Sequence, residues 1–394
     1  MSAALHLLPT ELTEWICSDF EKNDLGSARL VCRQLATKLG PLFFRTCNFD
    51  TLTTDLSTDS LRQVEAISQH PLARQSVREL CITGPKDTDL GGRWHRSSAG
   101  CLKEPFPPAI DRLLRTLCVD SLPQCRSFRI LYKGPDTTTH AHGVALTDVL
   151  ALLLLHVSES GRLISAFTLG SYNKAYFTKA PNRLPESYPE VCFALEPDRM
   201  PEHLYRNPRF KEAWGKNLRD LDLNIAYRAS SGENALIAEL ITSARSLETF
   251  SLQLSYLHPA DELLALLRTF DTTWKPPLRR LNLRYFRTKR LDSNLLFMAH
   301  FGASLKSLSF EWLRAPKGSL KNLMFGLQRH FPCLDQVWMR SLVQEPEIPG
   351  RYVETNSLMY NGLKCHFKPP VEGVRKLTRA ERGDPRNIEG ITNA

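Results

Sequence analysis

One rhythm constrains this chain more than any other feature: apolar residues at i, i+3 and i+5, returning at a nearly constant interval. The stretch "PLRRLNLRYF" at 277–286 is echoed 27 residues later by "SLKSLSFEWL" at 304–313. With the phase fixed at Leu278/Leu281/Leu283, the pattern also stands at Leu218/Leu221/Leu223, Leu247/Phe250/Leu252, Leu305/Leu308/Phe310 and Leu334/Val337/Met339. First positions are 29, 31, 27 and 29 residues apart. Weaker copies stand upstream at Val77/Leu80/Ile82, Cys125/Phe128/Ile130 and Ile164/Phe167/Leu169, and Phe44/Cys47/Phe49 reads as the start of a further unit. A chain built this way folds as stacked repeats, because no single unit can bury its apolar face alone.

Between these strand-like pieces lie helical faces: Ile110/Leu113/Leu114/Leu117, Leu236/Ile237/Leu240/Ile241 and Leu320/Leu323/Met324/Leu327. The unit is therefore strand, loop, amphipathic helix. The expected fold is α/β, an irregular leucine-rich-repeat-like solenoid over 47–350 with a parallel sheet on the concave face and helices on the convex face. Strand alternation puts Leu281 and Leu283 in the core and Arg280, Asn282 and Arg284 on the open face. At ~4.8 Å per strand, eight strands present a face roughly 34 Å wide, which suits a protein partner more than a metabolite. The candidate substrate-binding residues on that face are Asp220, Asp222, Arg280, Asn282, Arg284, Glu311, Trp338 and Arg340. Arg280 and Arg284 are read as close enough to grip one acidic or phosphorylated stretch. Trp338, set between Val337 and Met339, has the character of an interface anchor. Insertions at 84–108, 134–143 and 170–216 each follow a strand and are expected to emerge as loops from one rim. After Pro349 the periodicity fades, and 351–394 is read as a flexible tail.

Composition narrows the function classes. Apolar residues make up 42% of the chain and charged ones 24%, which is ordinary globular usage. The ten cysteines are scattered from Cys17 to Cys365 without a C-x-x-C pair, which fits reduced thiols in cytosol or nucleus rather than a disulfide framework. "MSAALHLLPTELTEW" lacks the basic n-region of a secretory signal, and the longest apolar run, 149–157, is too short to span a bilayer. A soluble, cytoplasmic or nuclear protein without a membrane partner is expected. The net charge of +9 permits an acidic partner, but basic residues are spread along the chain and lack the aromatic interleaving of a nucleic-acid site. The run "RYFRTKR" at 284–290 reads as a solvated loop.

Local signatures of chemistry are absent: the chain has no G-x-S-x-G, no G-x-x-x-x-G-K-[ST] and no H-E-x-x-H. "HAH" at 140–142 reads as loop histidines. His330, Cys333, Cys365 and His366 form a zinc quartet on paper, but Cys333 falls within a repeat and is expected to be a buried structural cysteine. No catalytic residue, metal or cofactor is assigned, and the chain is not expected to be an enzyme.

The segment "LHLLPTELTEWICSDFEKNDLGSARLVCRQLATKLGPLFFRT" follows different rules. Pro9 stands where a helix starts, with Leu8, Leu12, Trp15 and Ile16 at helical spacing. Asn23 and Asp24 offer a cap to a second helix, and Gly40 and Pro41 stop a third. Three short helices make a small core, so part of this apolar surface needs a partner. The string L-P-x-E-L, then Ile16, Asp24, Leu25 and Arg29 through Arg33, resembles an F-box, with Gln34 and Leu35 where many F-boxes carry Trp. "LFFRTCNF", "HPLARQSVRELCI" and the irregular repeats look like fungal F-box proteins with leucine-rich-repeat-like C-terminal regions. The resemblance implies that 4–46 binds a Skp-family adaptor and, through it, a cullin-RING ubiquitin ligase. Leu8, Pro9, Leu12 and Ile16 would form the first part of the adaptor surface. Leu25, Leu30, Val31 and Leu35 would supply the rest, or else the module's own core.

Overall fold

The computed structural model describes residues 5–46, 50–83, 97, 103, 122–132, 146–161, 163–171, 200–224, 231–254, 260–270, 274–288, 298, 301–316, 319–345 and 363–366. Among the described residues ten strands form one open sheet, ordered as they occur in the chain. β1 (Thr51–Thr54), β2 (Glu79–Thr83), β3 (Ser127–Tyr132), β4 (Ala166–Ser171), β5 (Asp220–Asn224), β6 (Thr249–Gln253), β7 (Arg280–Arg284), β8 (Ser307–Pro316) and β9 (Gln336–Glu345) are parallel, and β10 (Leu363–His366) runs antiparallel to β9.

The register explains the rhythm. Each i+3 residue pairs with the i+3 residue next door, giving a ladder from Leu80 through Phe128, Phe167, Leu221, Phe250, Leu281 and Leu308 to Val337. The i+5 residues form a second ladder from Ile82 to Met339, and both ladders are buried throughout. The first residue of each motif has the wrong parity for a straight strand, yet it is buried too. A turn accounts for this. The N–H groups of Arg219 and Asp220 both donate to the Ser165 carbonyl, and those of Arg279 and Arg280 both donate to that of Glu248. The chain bends there and swings Leu218 and Leu278 inward.

Parallel pairing requires a crossover between strands, and the crossovers carry the helices α5 (Thr58–Gln69), α6 (Pro71–Ser76), α7 (Leu146–Ser160), α8 (Glu202–Tyr205), α9 (Pro208–Asn217), α10 (Ser231–Ser243), α11 (Ala260–Phe270) and α12 (Ser319–His330). The predicted faces at Leu236, Ile237, Leu240 and Ile241 in α10, and at Leu323 and Leu327 in α12, are buried against the ladders. Trp214 of α9 is fully buried, packs edge-on to Phe167 at 5.2 Å, and donates its indole N–H to the Leu240 carbonyl at 2.9 Å. At the next residue only glycine fits, because a Cβ on Gly215 would lie 2.9 Å from the Ser243 carbonyl. The opposite face of the sheet keeps its polar side chains open, as the alternating burial of β5, β6 and β7 shows.

Three expectations need correction. The further unit at the start does not use Phe44, which lies in a helix. β1 instead places Leu52 and Thr54 in the two ladders, opposite Leu80 and Ile82. The end of the 170–216 insertion is not a loop: α8 and α9 send Leu204, Phe210 and Trp214 into the core. Residues 363–366 of the supposed tail form β10, whose hydrogen bonds cover the edge of β9. The helical face at 110–117, the loop histidines and most of the 84–108 and 134–143 insertions lie outside the described residues.

Ahead of the sheet, a 3-10 turn (Leu5–Leu7) and four short helices, α1 (Thr10–Ile16), α2 (Lys22–Val31), α3 (Arg33–Lys38) and α4 (Gly40–Thr46), pack around a separate core of Cys17, Leu25, Leu35 and Leu39. Gly40 and Pro41 open a fourth helix rather than only ending the third, since Pro in a first helical turn loses no hydrogen bond. α4 joins this unit to the sheet. Gly40 sits so close to α6 that a Cβ would meet the Leu72 side chain at 2.8 Å, and Phe44 packs on the His70 ring at 5.2 Å.

Candidate functional site

The N-terminal helices are built with their larger apolar side chains outside. α1 turns Thr13 inward, where its hydroxyl donates to the Pro9 carbonyl at 3.0 Å, and Cys17 beyond its end is buried. Leu12, Trp15 and Ile16 share another face at i, i+3 and i+4 and are exposed, Trp15 by 75%. α2 ends in Leu30, 88% exposed, and Val31, also exposed, before the extended Cys32 (φ −159°, ψ 161°) breaks the helix. Both helices pack on α3. From α3, Lys38 donates to the carbonyls of His6 and Leu8, pinning the half-buried Leu8 and the exposed Pro9 ahead of α1.

Of the two readings open for Leu25 and Leu35, adaptor surface or the module's own core, the structure shows the second: both are buried in that core. Sequence reasoning passed over Leu7, Trp15 and Phe20 as surface residues. All three are exposed, and the helical offset of Trp15 from Leu12 was the available signal. Of the nine exposed large apolar side chains among the described residues, seven fall between Leu7 and Val31. That concentration exceeds the scattered apolar exposure normal for a protein surface.

The open face of the sheet is the second site. Its middle row runs, strand by strand, through Arg129, Thr168, Asp222, Ser251, Asn282, Ser309 and Trp338, with Lys364 of β10 in register beyond. Asp220 and Arg280 are exposed one row away, and Trp338 is 36% exposed. Asn282 donates to the Ser251 hydroxyl at 3.0 Å. Burial pushes the Asp222 carboxyl above the usual carboxylate range, opposed by the guanidinium groups of Arg284 and Arg129.

Arg280 and Arg284 do not form the expected grip. They stand four residues apart at opposite ends of β7, about 13 Å along the strand. Arg284 already pairs with Glu311 on the next strand at 3.4 Å. The Arg340 side chain lies outside the described residues, although its backbone is in register with Glu311. Arg129, missed in the sequence, pairs with Glu79 at 3.3 Å and occupies the same i+4 phase position as Asp222.

Cys333 is exposed rather than buried, and no group of three or more potential metal ligands occurs among the described residues. No described helix is long and apolar enough to cross a membrane. The chain is thus an α/β protein with a parallel sheet and two distinct candidate binding surfaces. A scan against protein-family models finds no match, and a search of curated proteins returns none.

Proposed function

We propose that this chain is the substrate-recognition subunit of a Skp-cullin-F-box type ubiquitin ligase. In this reading the N-terminal helices are an F-box and the rest is a leucine-rich-repeat-like solenoid. The Skp-family adaptor docks on Leu8, Pro9, Leu12, Ile16, Leu30 and Val31, and a protein substrate docks on the open sheet. One observation carries the reading: around a small core of four residues, the N-terminal segment leaves seven large apolar side chains in water, and four of them, Leu12, Ile16, Leu30 and Val31, are residues where the F-box pattern puts its adaptor contacts. Covering them with a partner's apolar groove recovers roughly 25 cal/mol per Å² removed from water. The chain then acts by position, raising the effective concentration of substrate lysines near a ligase-bound conjugating enzyme.

The test is co-purification of the full chain with the Skp adaptor. Pro9→Ala with Ile16→Ala should abolish adaptor recovery, since interface anchors cost about 2 kcal/mol or more each. Unchanged recovery from folded double mutant refutes the reading. Recovery of adaptor without cullin favours a scaffold acting without ubiquitin transfer.

A further inference from the structure

The turn that opens each strand places one residue per unit at the N-terminal rim of the sheet, stacked through the shared carbonyl bonds. In chain order that column reads Asp50, Arg78, Arg126, Ser165, Arg219, Glu248, Arg279, Lys306 and Asp335. Two neighbouring pairs carry like charge, Arg78 beside Arg126 and Arg279 beside Lys306. Each pair is one strand spacing apart, about 4.8 Å at the backbone. All four side chains are exposed, and none has an ion-pair partner among the described residues. Arg219, by contrast, is neutralised by Glu248 at 3.2 Å.

Like charges side by side in register destabilise a sheet. A basic residue near a helix C-terminus is explained by the helix dipole, which accounts for Arg74, Lys216 and Arg329 in the last turns of α6, α9 and α12. Arg78 follows the C-cap of α6 and shares that explanation, but none of the four rim residues is itself part of a described helix, and Arg279 follows a non-helical stretch from 274 to 278.

We propose that this rim is a docking surface for an acidic polypeptide that presents two carboxylate clusters, one to each basic pair. Five strand spacings separate the centres of the two pairs, about 24 Å. A phosphodiester chain is a poorer fit. Running between the pairs, it would meet Ser165 and the Arg219–Glu248 pair, and the column offers no aromatic side chain for base stacking. The surface lies at the N-terminal ends of the strands and uses neither the exposed apolar residues of the N-terminal helices nor the polar row of the open face, so it does not depend on the ubiquitin-ligase reading.

The experiment measures binding of the full chain to a Glu-rich peptide, and to a single-stranded oligonucleotide of matched charge, across a salt series. Expected are salt-sensitive binding of the peptide and a loss of about tenfold or more for Arg78→Glu/Arg126→Glu and, separately, for Arg279→Glu/Lys306→Glu. Arg62→Glu, an exposed control on α5, should leave affinity unchanged. The milder Arg78→Ala/Arg126→Ala should also weaken binding while keeping or raising Tm, because it relieves repulsion. Three results would each overturn the proposal: no peptide binding at low salt, charge reversals no worse than the control, or tighter binding of the oligonucleotide that is lost in the same variants.

Discussion

The sheet and the N-terminal helices solve the same problem in opposite ways. In the sheet, strand after strand contributes two residues to two unbroken ladders, helices cover those ladders, and polar side chains line the other face. In the helices, four residues form the buried centre while Trp15, Leu30 and Val31 stand in water. The sheet can satisfy its apolar residues internally because stacking extends the core with each unit. A helical module this short lacks the volume to do so, and its leftover apolar surface is available to a partner. Sequence hydrophobicity is similar in the two regions, and only the possible geometry of burial separates structural from interactive residues.

The largest effect should come from putting the same charge into each region. Leu281→Asp places a carboxylate between Phe250 and Leu308 in a buried ladder and should destabilise the chain by roughly 4 kcal/mol or more, or prevent folding. Ile16→Asp, on the exposed face of α1, should stay within about 0.5 kcal/mol of wild type. Denaturant unfolding of both variants decides the matter. A wild-type midpoint for Leu281→Asp would show that the ladder does not hold the sheet.

A smaller effect separates the two cores. Leu25→Ala removes a fully buried side chain from the small helical core and should cost about 2–5 kcal/mol there. Hydrogen exchange should show the amides of α1 to α3 losing protection while β5 to β8 keep theirs. Equal loss across both regions would mean that the contact of α4 with α6, through Gly40 and Phe44, makes them one cooperative unit.

The strands were legible in the sequence because their signal is local and repeated. Leu278, Leu281 and Leu283 state a turn and two inward positions, and eight copies state them in the same phase. Where structure arises from contacts between distant segments, that signal is missing. β10 pairs antiparallel to β9 and shares no period with the repeats, so nothing in residues 363–366 announced it. α8 and α9 lie in a proline-rich insertion, and the burial of Trp214 depends on Phe167 and Leu240, which belong to other units. The same limit applies to the surfaces. Arg284 and Glu311 were both legible as open-face residues, but their ion pair is a lateral contact between neighbouring strands. Helical spacing grouped Leu12 with Ile16 correctly, yet it could not say whether Leu25 and Leu35 faced the core or a partner.

The smallest and most diagnostic change is Asp222→Asn on the open face. Burial raises the folded-state pKa of Asp222 above its ordinary value, with Arg284 and Arg129 only partly opposing it. The folded chain therefore holds this proton more tightly than the unfolded one. The stabilising contribution is fully present below the ordinary aspartate range and is lost as pH rises through the folded-state pKa. At neutral pH the ionised carboxylate is thus a net cost, and Asn should raise Tm by something on the order of a degree. The difference should shrink as pH falls into the ordinary aspartate range, where wild type becomes protonated too. A charge kept at such a cost, between two guanidinium groups and in line with Trp338, fits a surface selected for recognition rather than stability. If the proposed function holds, Asp222→Asn should accordingly weaken capture of a protein substrate on the open face and leave adaptor recovery by the helices unchanged. A Tm gain with capture intact would leave Asp222 a bystander and move recognition to other residues.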